Sequence, residues 1–401
     1  MNFGLRKPVL GSLALALVCL AGAALTHGQA TPQQARPQAT AATGEQKPLL
    51  AEEAFKNIQV LRGIPVSQFM ETMGFFSASL GESCEFCHGG SDSGWDKYAE
   101  DNDIKQTARK MVLMMNAINK ANFSGKREVT CYSCHRGGDR PLVTPDLSAL
   151  YGTPPPMPPP DVVEAAPDAP AANQILDKYI QALGGAQRVN GLTSYIAKGT
   201  TSGYGEKIEK RPLDIYAKAP NEHTVINHTL TGDSTITFDG RNGWSAAPDT
   251  DSPVPVLALT GPDLESAKVD ANLAFPGRIK EALSKWVVGY PTTIDDQDVQ
   301  VVQGTSPGGT TVTFYFDSKT GLLSRIMRYT DARIGLIPMQ VDYSDYRDVA
   351  GIKMPFHWNV TWLDGRSTYD FTSIQTNVPI DAAKFAKPAP PVTVSAKPAA
   401  K

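Results

Sequence analysis

The sequence predicts a multidomain protein: a mainly α domain, then an α+β domain with a curved antiparallel sheet that forms a partly closed barrel. Three observations support this fold class. Before residue 145, apolar residues recur at helical spacing, as in amphipathic helices. After residue 172, runs of β-branched and aromatic residues end at turn signals, as in strands. Between them lies Thr-Pro-Pro-Pro-Met-Pro-Pro-Pro, at 153–160, which is typical of an extended linker.

Composition sets the boundaries of the segments. The chain has 401 residues, 41% of them hydrophobic, and this length favours two domains. The predicted segments are a signal peptide (1–30), a disordered spacer (31–48), a helical domain (49–145), a Pro/Ala-rich linker (146–171), a sheet domain (172–386) and a disordered tail (387–401). Since the linker is extended, we expect the two domains to fold independently.

The first 30 residues have the order of a secretory signal peptide. Arg6 and Lys7 precede a mostly apolar stretch from Val9 to Leu25, and small residues at 28–30 follow, which corresponds to basic, apolar and cleavage regions. An apolar stretch of about 17 residues is marginal for a membrane span. We therefore expect cleavage, export to the periplasm and, at most, peripheral membrane contact.

Charge and cysteine usage narrow the classes of function. The formal net charge is −3 and 20% of the residues are charged, so the sequence offers no basic surface for nucleic acid. Cys19 would leave with the signal peptide, and the other four cysteines form two Cys-x-x-Cys pairs. Structural disulfides are therefore not expected, although the compartment permits them.

Three helices are predicted in the helical domain. The first covers 51–62, the second begins near Pro65 and ends at Gly81, and the third covers 106–122, with stop signals and periodicity as expected for helices. Their apolar stripes are Ala54, Phe55, Ile58 and Leu61; Phe69, Met73, Phe76 and Leu80; and Met111, Met115 and Ile118. The polar segment from 89 to 103 is predicted to be a loop, whose Asp and Glu residues are expected to be solvated rather than metal ligands.

A Cys-x-x-Cys-His motif follows each of the last two helices. The motifs are Cys84-Glu-Phe-Cys87-His88 and Cys131-Tyr-Ser-Cys134-His135. This pattern is the attachment signature of c-type haem: both thiols bond to the vinyl groups, and the imidazole becomes the proximal iron ligand. Histidine is scarce, 6 in 401 residues, so chance poorly explains two such placements. We therefore predict two covalently attached haems c.

Other metal or thiol chemistry is the alternative for these cysteines. Four thiolates can hold a structural zinc ion, and a Cys-x-x-Cys pair can be redox-active. Neither explains a histidine directly after both pairs, so the haem interpretation is preferred.

Methionines are the candidates for the second axial position. Outside the motifs no histidine occurs between 31 and 222, whereas five of the ten methionines lie in the second and third helices: Met70, Met73, Met111, Met114 and Met115. A thioether favours reduced iron. Two ligands are needed, so the other three methionines pack against apolar neighbours. The stripe favours Met73, while the third helix leaves Met111, Met114 and Met115 open.

The helical domain resembles the cytochrome c subunit of photosynthetic reaction centres and its non-photosynthetic relatives. Before the first motif, the resemblance rests on Met73-Gly-Phe-Phe-Ser-Ala-Ser-Leu-Gly81. Around the second motif, it rests on Ala108-Arg-Lys-Met111, Asn116-Ala-Ile-Asn119 and Val129-Thr-Cys-Tyr-Ser-Cys-His-Arg-Gly137. The resemblance covers about 50–145 and implies Met73 and Met111 as axial ligands opposite His88 and His135. The family subunit has four haem sites and this chain two, so a photosynthetic partner is not implied.

The sheet domain is predicted to open with one amphipathic helix that carries Ile175 and Tyr179 and ends at Gly184-Gly185. Strands are predicted at 234–238, 310–316, 338–346, 356–363 and 367–374, and a helical patch at 261–287. The domain more weakly resembles periplasmic lipoprotein-sorting carriers, through Ile175-Leu-Asp-Lys-Tyr-Ile-Gln-Ala-Leu-Gly-Gly185, Phe238-Asp-Gly-Arg-Asn-Gly-Trp244 and Tyr315-Phe-Asp-Ser-Lys-Thr-Gly-Leu322. That resemblance implies a cavity for an apolar ligand.

The expected function is electron transfer between redox donor and acceptor proteins, rather than enzyme catalysis. His223, His228 and His357 have no nucleophile pattern around them. A periplasmic ligand-binding or haem-based sensor protein is the alternative. A haem enzyme such as a peroxidase needs an open iron position and distal polar groups, which the abundance of methionine disfavours.

Overall fold

The computed structural model describes residues 46–89, 95–145, 147, 151–152, 159–203, 209–249 and 252–391. The predicted signal peptide, most of the spacer, the proline run at 153–158 and most of the tail lie outside these ranges. Within them, we find no helix whose length and apolar content would suffice for a membrane crossing.

The N-terminal region is helical, as predicted. Its helices are α1 (Ala51–Ala54), α2 (Val66–Leu80), α3 (Cys84–His88), α4 (Asp103–Asn122) and α5 (Cys131–His135), with a 3-10 turn at Trp95–Ala99. The predicted first helix at 51–62 is wrong beyond Ala54, because Asn57 adopts a left-handed φ of 60°. Helix α2 ends at Gly81, as the stop signal predicted, with a φ of 70°.

The C-terminal region contains a sheet of 14 strands. They are β1 (Ser194–Ser202), β2 (Arg211–Lys218), β3 (Glu222–His228), β4 (Asp233–Asp239), β5 (Gly243–Ala246), β6 (Val256–Leu259), β7 (Ser284–Val288), β8 (Thr292–Ile294), β9 (Gln297–Thr305), β10 (Thr311–Asp317), β11 (Leu323–Ala332), β12 (Gly335–Val349), β13 (Ile352–Trp362) and β14 (Gly365–Thr376). All five predicted strands are confirmed.

Helices accompany this sheet. They are α6 (Ala172–Ala182), α7 (Ala186–Asn190), α8 (Gly261–Leu273) and α9 (Ile279–Ala282), with 3-10 turns at Pro276–Arg278 and Ala382–Phe385. The helical patch predicted at 261–287 is correct up to Ala282 and wrong afterwards, since β7 begins at Ser284.

The sheet is antiparallel and open. Its order is β6-β5-β4-β3-β2-β1-β14-β13-β12-β11-β10-β9-β7, and β8 pairs with β9 beside β7. Among the described residues the end strands β6 and β7 do not pair with each other, so the predicted partial closure into a barrel is not observed. Strands that pair are neighbours in sequence except at two places, where β1 meets β14 and where β9 meets β7.

The main core lies between the sheet and its helices. Its fully buried side chains include Leu176 on α6, Leu213 on β2, Ile279 on α9, and Phe314 and Phe316 on β10. Burial of each such side chain contributes roughly 1.5–3 kcal/mol. The ring of Tyr179 lies 5.0 Å from that of Phe316, so the predicted apolar stripe of α6 packs directly on the sheet.

A second core joins the helical region to the sheet. Phe75 on α2 and Met115 on α4 are buried in one cluster with Ala332, Ile334 and Ile337, which belong to the β11–β12 hairpin. Arg127 forms an ion pair with Asp331 of the same hairpin. The two regions therefore share buried apolar surface, which differs from the expectation of independent domains joined only by a linker.

Residues 161–165, in the second half of the predicted linker, lie against the sheet. Ala165 pairs with Gly289 in an antiparallel bridge. The side-chain amide of Gln303 on β9 donates to Asp161 O (2.9 Å), and its oxygen accepts from Val163 N (3.3 Å). These contacts fix the backbone of 161–165 along the edge formed by β7 and β9.

Candidate haem-binding site

Each Cys-x-x-Cys-His motif forms a single helical turn, α3 or α5. A turn places residues three apart on the same side of the helix, which brings the two thiols of a motif together. The start of α5 is a capping box: Thr130 Oγ1 accepts from Ser133 N (3.4 Å) and Ser133 Oγ accepts from Thr130 N (3.0 Å). The four cysteines of the motifs are free thiols, so they are available for covalent attachment.

The two motif histidines make equivalent hydrogen bonds. His88 Nδ1 lies 3.2 Å from Tyr98 O, and His135 Nδ1 lies 3.1 Å from Gly138 O. A carbonyl can only accept, so each Nδ1 donates its proton and each Nε2 retains a lone pair. This is the arrangement of metal-ligating histidines, whose second nitrogen donates to a carbonyl. Sequence reasoning did not foresee either carbonyl partner.

The electrostatic environment favours neutral side chains. Burial lowers the pKa of His88, assisted by the nearby Lys105 ammonium, so its imidazole is neutral near pH 7. Burial also raises the pKa of the Cys84 and Cys87 thiols, and that of Cys131 to about 11. A zinc site would need convergent thiolates, and in the described part of the chain no three side chains of the His, Cys, Asp and Glu types converge.

The methionines differ in burial. Met115 is 5% exposed and belongs to the cluster shared with the sheet, whereas Met111 is 37% exposed and Met114 is 47% exposed. Met73 is half-buried and packs against the same cluster, as does Cys131. The packing gives Met115 a structural role, so the thioethers of Met111 and Met114 are the ones on α4 that apolar packing does not engage. The assignments of Met73 and Met111 as iron ligands stay predictions.

Large apolar side chains are exposed around the motifs. Between 49 and 132 the exposed ones are Leu49, Met70, Phe86, Trp95, Ile104, Met111, Leu113, Met114, Phe123 and Tyr132; between 172 and 391 they are Leu230, Ile236, Tyr290 and Leu336. Two of them, Phe86 and Tyr132, lie inside the motifs themselves. Exposed apolar side chains at these positions suit an apolar macrocycle attached at the motifs, so the residues present fit haem.

Residues of the segment that precedes α4, and of its first turn, hold the first motif. Asn102 Nδ2 donates to Cys87 O (2.8 Å), and Lys105 Nζ donates to Tyr98 O (2.7 Å). The ring of Tyr98 stacks on that of His88, with centroids 4.5 Å apart. Trp95 Nε1 donates to Asp249 O (2.6 Å), which ties this loop to the sheet region.

Asn119 on α4 holds the approach to the second motif. It is 4% exposed, its Nδ2 donates to Val129 O (2.7 Å), and its Oδ1 accepts from Val129 N (3.0 Å) and Glu128 N (3.2 Å). Asparagine is unfavourable inside a helix because its side chain competes for the hydrogen bonds of the backbone. Its presence on the predicted helix was therefore a signal of such a contact.

The histidines of the sheet region lie apart from the motifs in sequence and make local contacts. His228 Nδ1 lies 2.8 Å from Asp233 Oδ1, and His357 Nδ1 lies 2.7 Å from Asp370 Oδ1. A surface cavity of about 390 Å³ lies near β4 and is lined by Gly232, Asp233, Thr235, Ala246, Pro388, Ala389 and Pro391. Both polar and apolar residues line this cavity, so it is not identified as a site for an apolar ligand. Binding of an apolar ligand by the sheet domain stays a prediction.

Two solved structures are similar to about half of this chain. A LolA superfamily protein from Nitrosomonas europaea has a TM-score of 0.38 and 15% identity, with 55% of this chain and 99% of that chain covered. A putative outer membrane lipoprotein-sorting protein domain from Vibrio parahaemolyticus has a TM-score of 0.37 and 9% identity, with 53% and 97% covered.

Sequence comparison concerns mainly the N-terminal region. Residues 14–144 match the family described as photosynthetic reaction centre cytochrome C subunit, and residues 291–373 match a family of unknown function, DUF6544. The photosynthetic reaction center cytochrome c subunit of Roseobacter denitrificans is 34% identical over 116 residues, 26% of this chain and 31% of that protein. The corresponding subunit of Thermochromatium tepidum is 34% identical over 96 residues, which are 23% of this chain and 22% of that protein.

The chain spans less than a third of the length of these two relatives. The family match includes both motifs, and the resemblance identified from the motifs is thereby confirmed. The N-terminal region is a domain of the photosynthetic reaction centre cytochrome c type.

Proposed function

We propose that this protein is an exported electron carrier with two haems c, one at each Cys-x-x-Cys-His motif. The observation that carries the proposal is the equivalent orientation of His88 and His135, whose Nδ1 atoms donate to carbonyls and whose Nε2 atoms are free to bind iron. Similarity to the reaction-centre cytochrome family supports haem c as the cofactor.

The first haem would be held by Cys84, Cys87 and His88, with Met73 as the second axial ligand. Bound haem supplies one-electron exchange between ferrous and ferric iron. The chain supplies the thiols, imidazoles whose Nδ1 atoms donate to backbone carbonyls, and apolar side chains.

The second haem would be held by Cys131, Cys134 and His135, with Met111 as the second axial ligand. Electrons would pass to and from donor and acceptor proteins of the periplasm. The partners, the compartment and the role of the sheet region in docking or apolar-ligand binding are part of this proposal.

Haem content tests the proposal. The processed chain should carry the mass of two haems and give a c-type pyridine haemochrome. The double variant Cys84→Ala/Cys87→Ala should lose one haem, and the matched variant Cys131→Ala/Cys134→Ala should lose the other. A chain with one haem or with bound zinc would contradict the proposal.

Absorption spectra with carbon monoxide separate an electron carrier from a sensor. Two six-coordinate haems should give reduced spectra that carbon monoxide does not change. Rapid binding of carbon monoxide to either haem would favour a gas sensor or a haem enzyme instead.

A further inference from the structure

The two motif histidines differ in the hydrogen bonds that their carbonyl partners accept from other residues. Tyr98 O accepts from His88 Nδ1 (3.2 Å) and also from Lys105 Nζ (2.7 Å). Gly138 O accepts from His135 Nδ1 (3.1 Å), and the described residues provide it with no second donor. The first site therefore contains a cation hydrogen-bonded to the same oxygen as its histidine, and the second site has no counterpart.

The Lys105 ammonium is held in place by backbone groups. It also donates to Glu100 O (2.7 Å), and its own backbone N–H donates to Asn102 Oδ1 (2.9 Å) at the start of α4. The neighbouring Arg109 is engaged elsewhere, since it pairs with Asp101 (2.6 Å). Two carbonyls thus position the ammonium beside the histidine contact.

This geometry weakens the histidine as an electron donor. A hydrogen bond from a cation is shorter and stronger than one from a neutral donor, and here the Lys105 contact is the shorter of the two. The carbonyl that it polarises is a poorer acceptor for His88 Nδ1. Since the partner of Nδ1 raises the basicity of a ligating imidazole, Lys105 lowers that of His88.

The charge itself acts in the same direction. The Lys105 charge would disfavour the ferric state of an iron held by His88 more than the ferrous state, because the ferric state carries one more positive charge. The half-buried position of Lys105 limits screening by salt. Both effects stabilise the reduced form at the first motif.

We propose that Lys105 is a positioning residue that raises the midpoint potential of the haem at the first motif, and so makes the two haems inequivalent. This inference rests on the proposed attachment of a haem at His88. The haem at the first motif is then the one with the higher midpoint potential, because its histidine shares a carbonyl with Lys105 and, among the described residues, the histidine of the second motif does not.

Redox titration of three variants tests the inference. Lys105→Met should shift the reduction equilibrium of one haem about tenfold toward the oxidised form, about 59 mV for one electron, and leave the other unchanged. Lys105→Arg, which keeps the charge, should retain most of the original potential. Lys110→Met removes an exposed charge from the same helix and should move neither potential.

The midpoint that shifts must belong to the first motif. A chain in which Cys131→Ala and Cys134→Ala remove the second haem should retain the sensitive midpoint. Unchanged midpoints in Lys105→Met, equal shifts of both haems, or the same shift in Lys110→Met would overturn the inference. Haem content is measured first, so a chain without haem would refute the proposed function, whereas two haems with unmoved potentials would refute this inference alone.

Discussion

At the scale of single residues, the chemistry of this protein depends on which nitrogen or sulfur is left free. The motif histidines commit Nδ1 to backbone carbonyls, and tautomer control of this kind determines which ring nitrogen can bind a metal. The methionines of α4 are separated by burial in the same way. Met115 is packed in the shared core, whereas Met111 is 37% exposed.

We expect Met115→Ala and Met111→Ala to have opposite signatures. Met115→Ala should lower the free energy of unfolding by about 2–5 kcal/mol, because it leaves a cavity in a core, with both midpoint potentials nearly unchanged. Met111→Ala should cost little stability but remove about half of the weak methionine-to-iron charge-transfer absorption. Thermal unfolding and visible spectra of both variants measure these effects. Loss of that absorption in Met115→Ala alone would show that the ligand assignment is wrong.

Candidate cysteines and histidines could be chosen from sequence because covalent attachment requires fixed residue types at fixed spacing, whereas the axial methionines, which have no fixed spacing, stay predictions. The contacts that support the motifs could not be predicted in this way. Tyr98 contributes a backbone carbonyl, which every residue type carries, so no side-chain pattern indicates it. Lys105 lies in the first turn of α4, where a lysine is equally compatible with full solvation.

At the scale of elements, the close approach of two segments explains the position of a glycine. A Cβ added at Gly81, after α2, would lie 2.3 Å from Gly137 O, after the second motif. Gly137 N donates to Ser79 O (2.9 Å). Gly81 was predicted only to end α2. In the structure, the end of α2 also contacts the segment that follows α5.

Gly81→Ala should be more destabilising than Gly125→Ala, a matched control. Gly81 has a φ of 70° and Gly125 one of 80°, so both substitutions incur the left-handed penalty of about 1–2 kcal/mol. No atom lies within 4 Å of a Cβ at Gly125, whereas Gly81→Ala forces two backbones apart, at about 1–3 kcal/mol more. Denaturant unfolding of both variants measures the difference. Equal losses would mean that the contact is unimportant.

At the scale of the whole molecule, the sheet supports the helical region. The strands, the linker and both regions were predicted separately from local patterns, and local patterns say little about which surfaces meet. Met115 was therefore expected to bind iron or to pack against apolar neighbours, whereas the structure buries it, together with Phe75, against the β11–β12 hairpin. The open edge of the sheet likewise depends on pairing between distant strands, which alternation of residues does not specify.

We expect a substitution in that hairpin to loosen helices α2 and α4. Ile334 is 1% exposed in the shared cluster and Leu336, two residues later, is 38% exposed. Ile334→Ala should cost about 2–5 kcal/mol and raise the amide hydrogen-exchange rates of α2 and α4, although both lie far away in sequence. Leu336→Ala should change stability by no more than about 0.5 kcal/mol. Protection of α2 and α4 that survives Ile334→Ala would support independent domains after all.

The seam between β1 and β14 has a consequence for how the chain folds. Strands β1 to β6 and strands β9 to β14 form two meanders in which every partner is a neighbour in sequence, and contacts of that kind form fast. The seam joins Tyr195 to Thr376 and so closes a loop that spans nearly the whole sheet region. Because contacts between residues distant in sequence form slowly, we expect the meanders to assemble first and their union at the seam to be the slow step that completes the sheet.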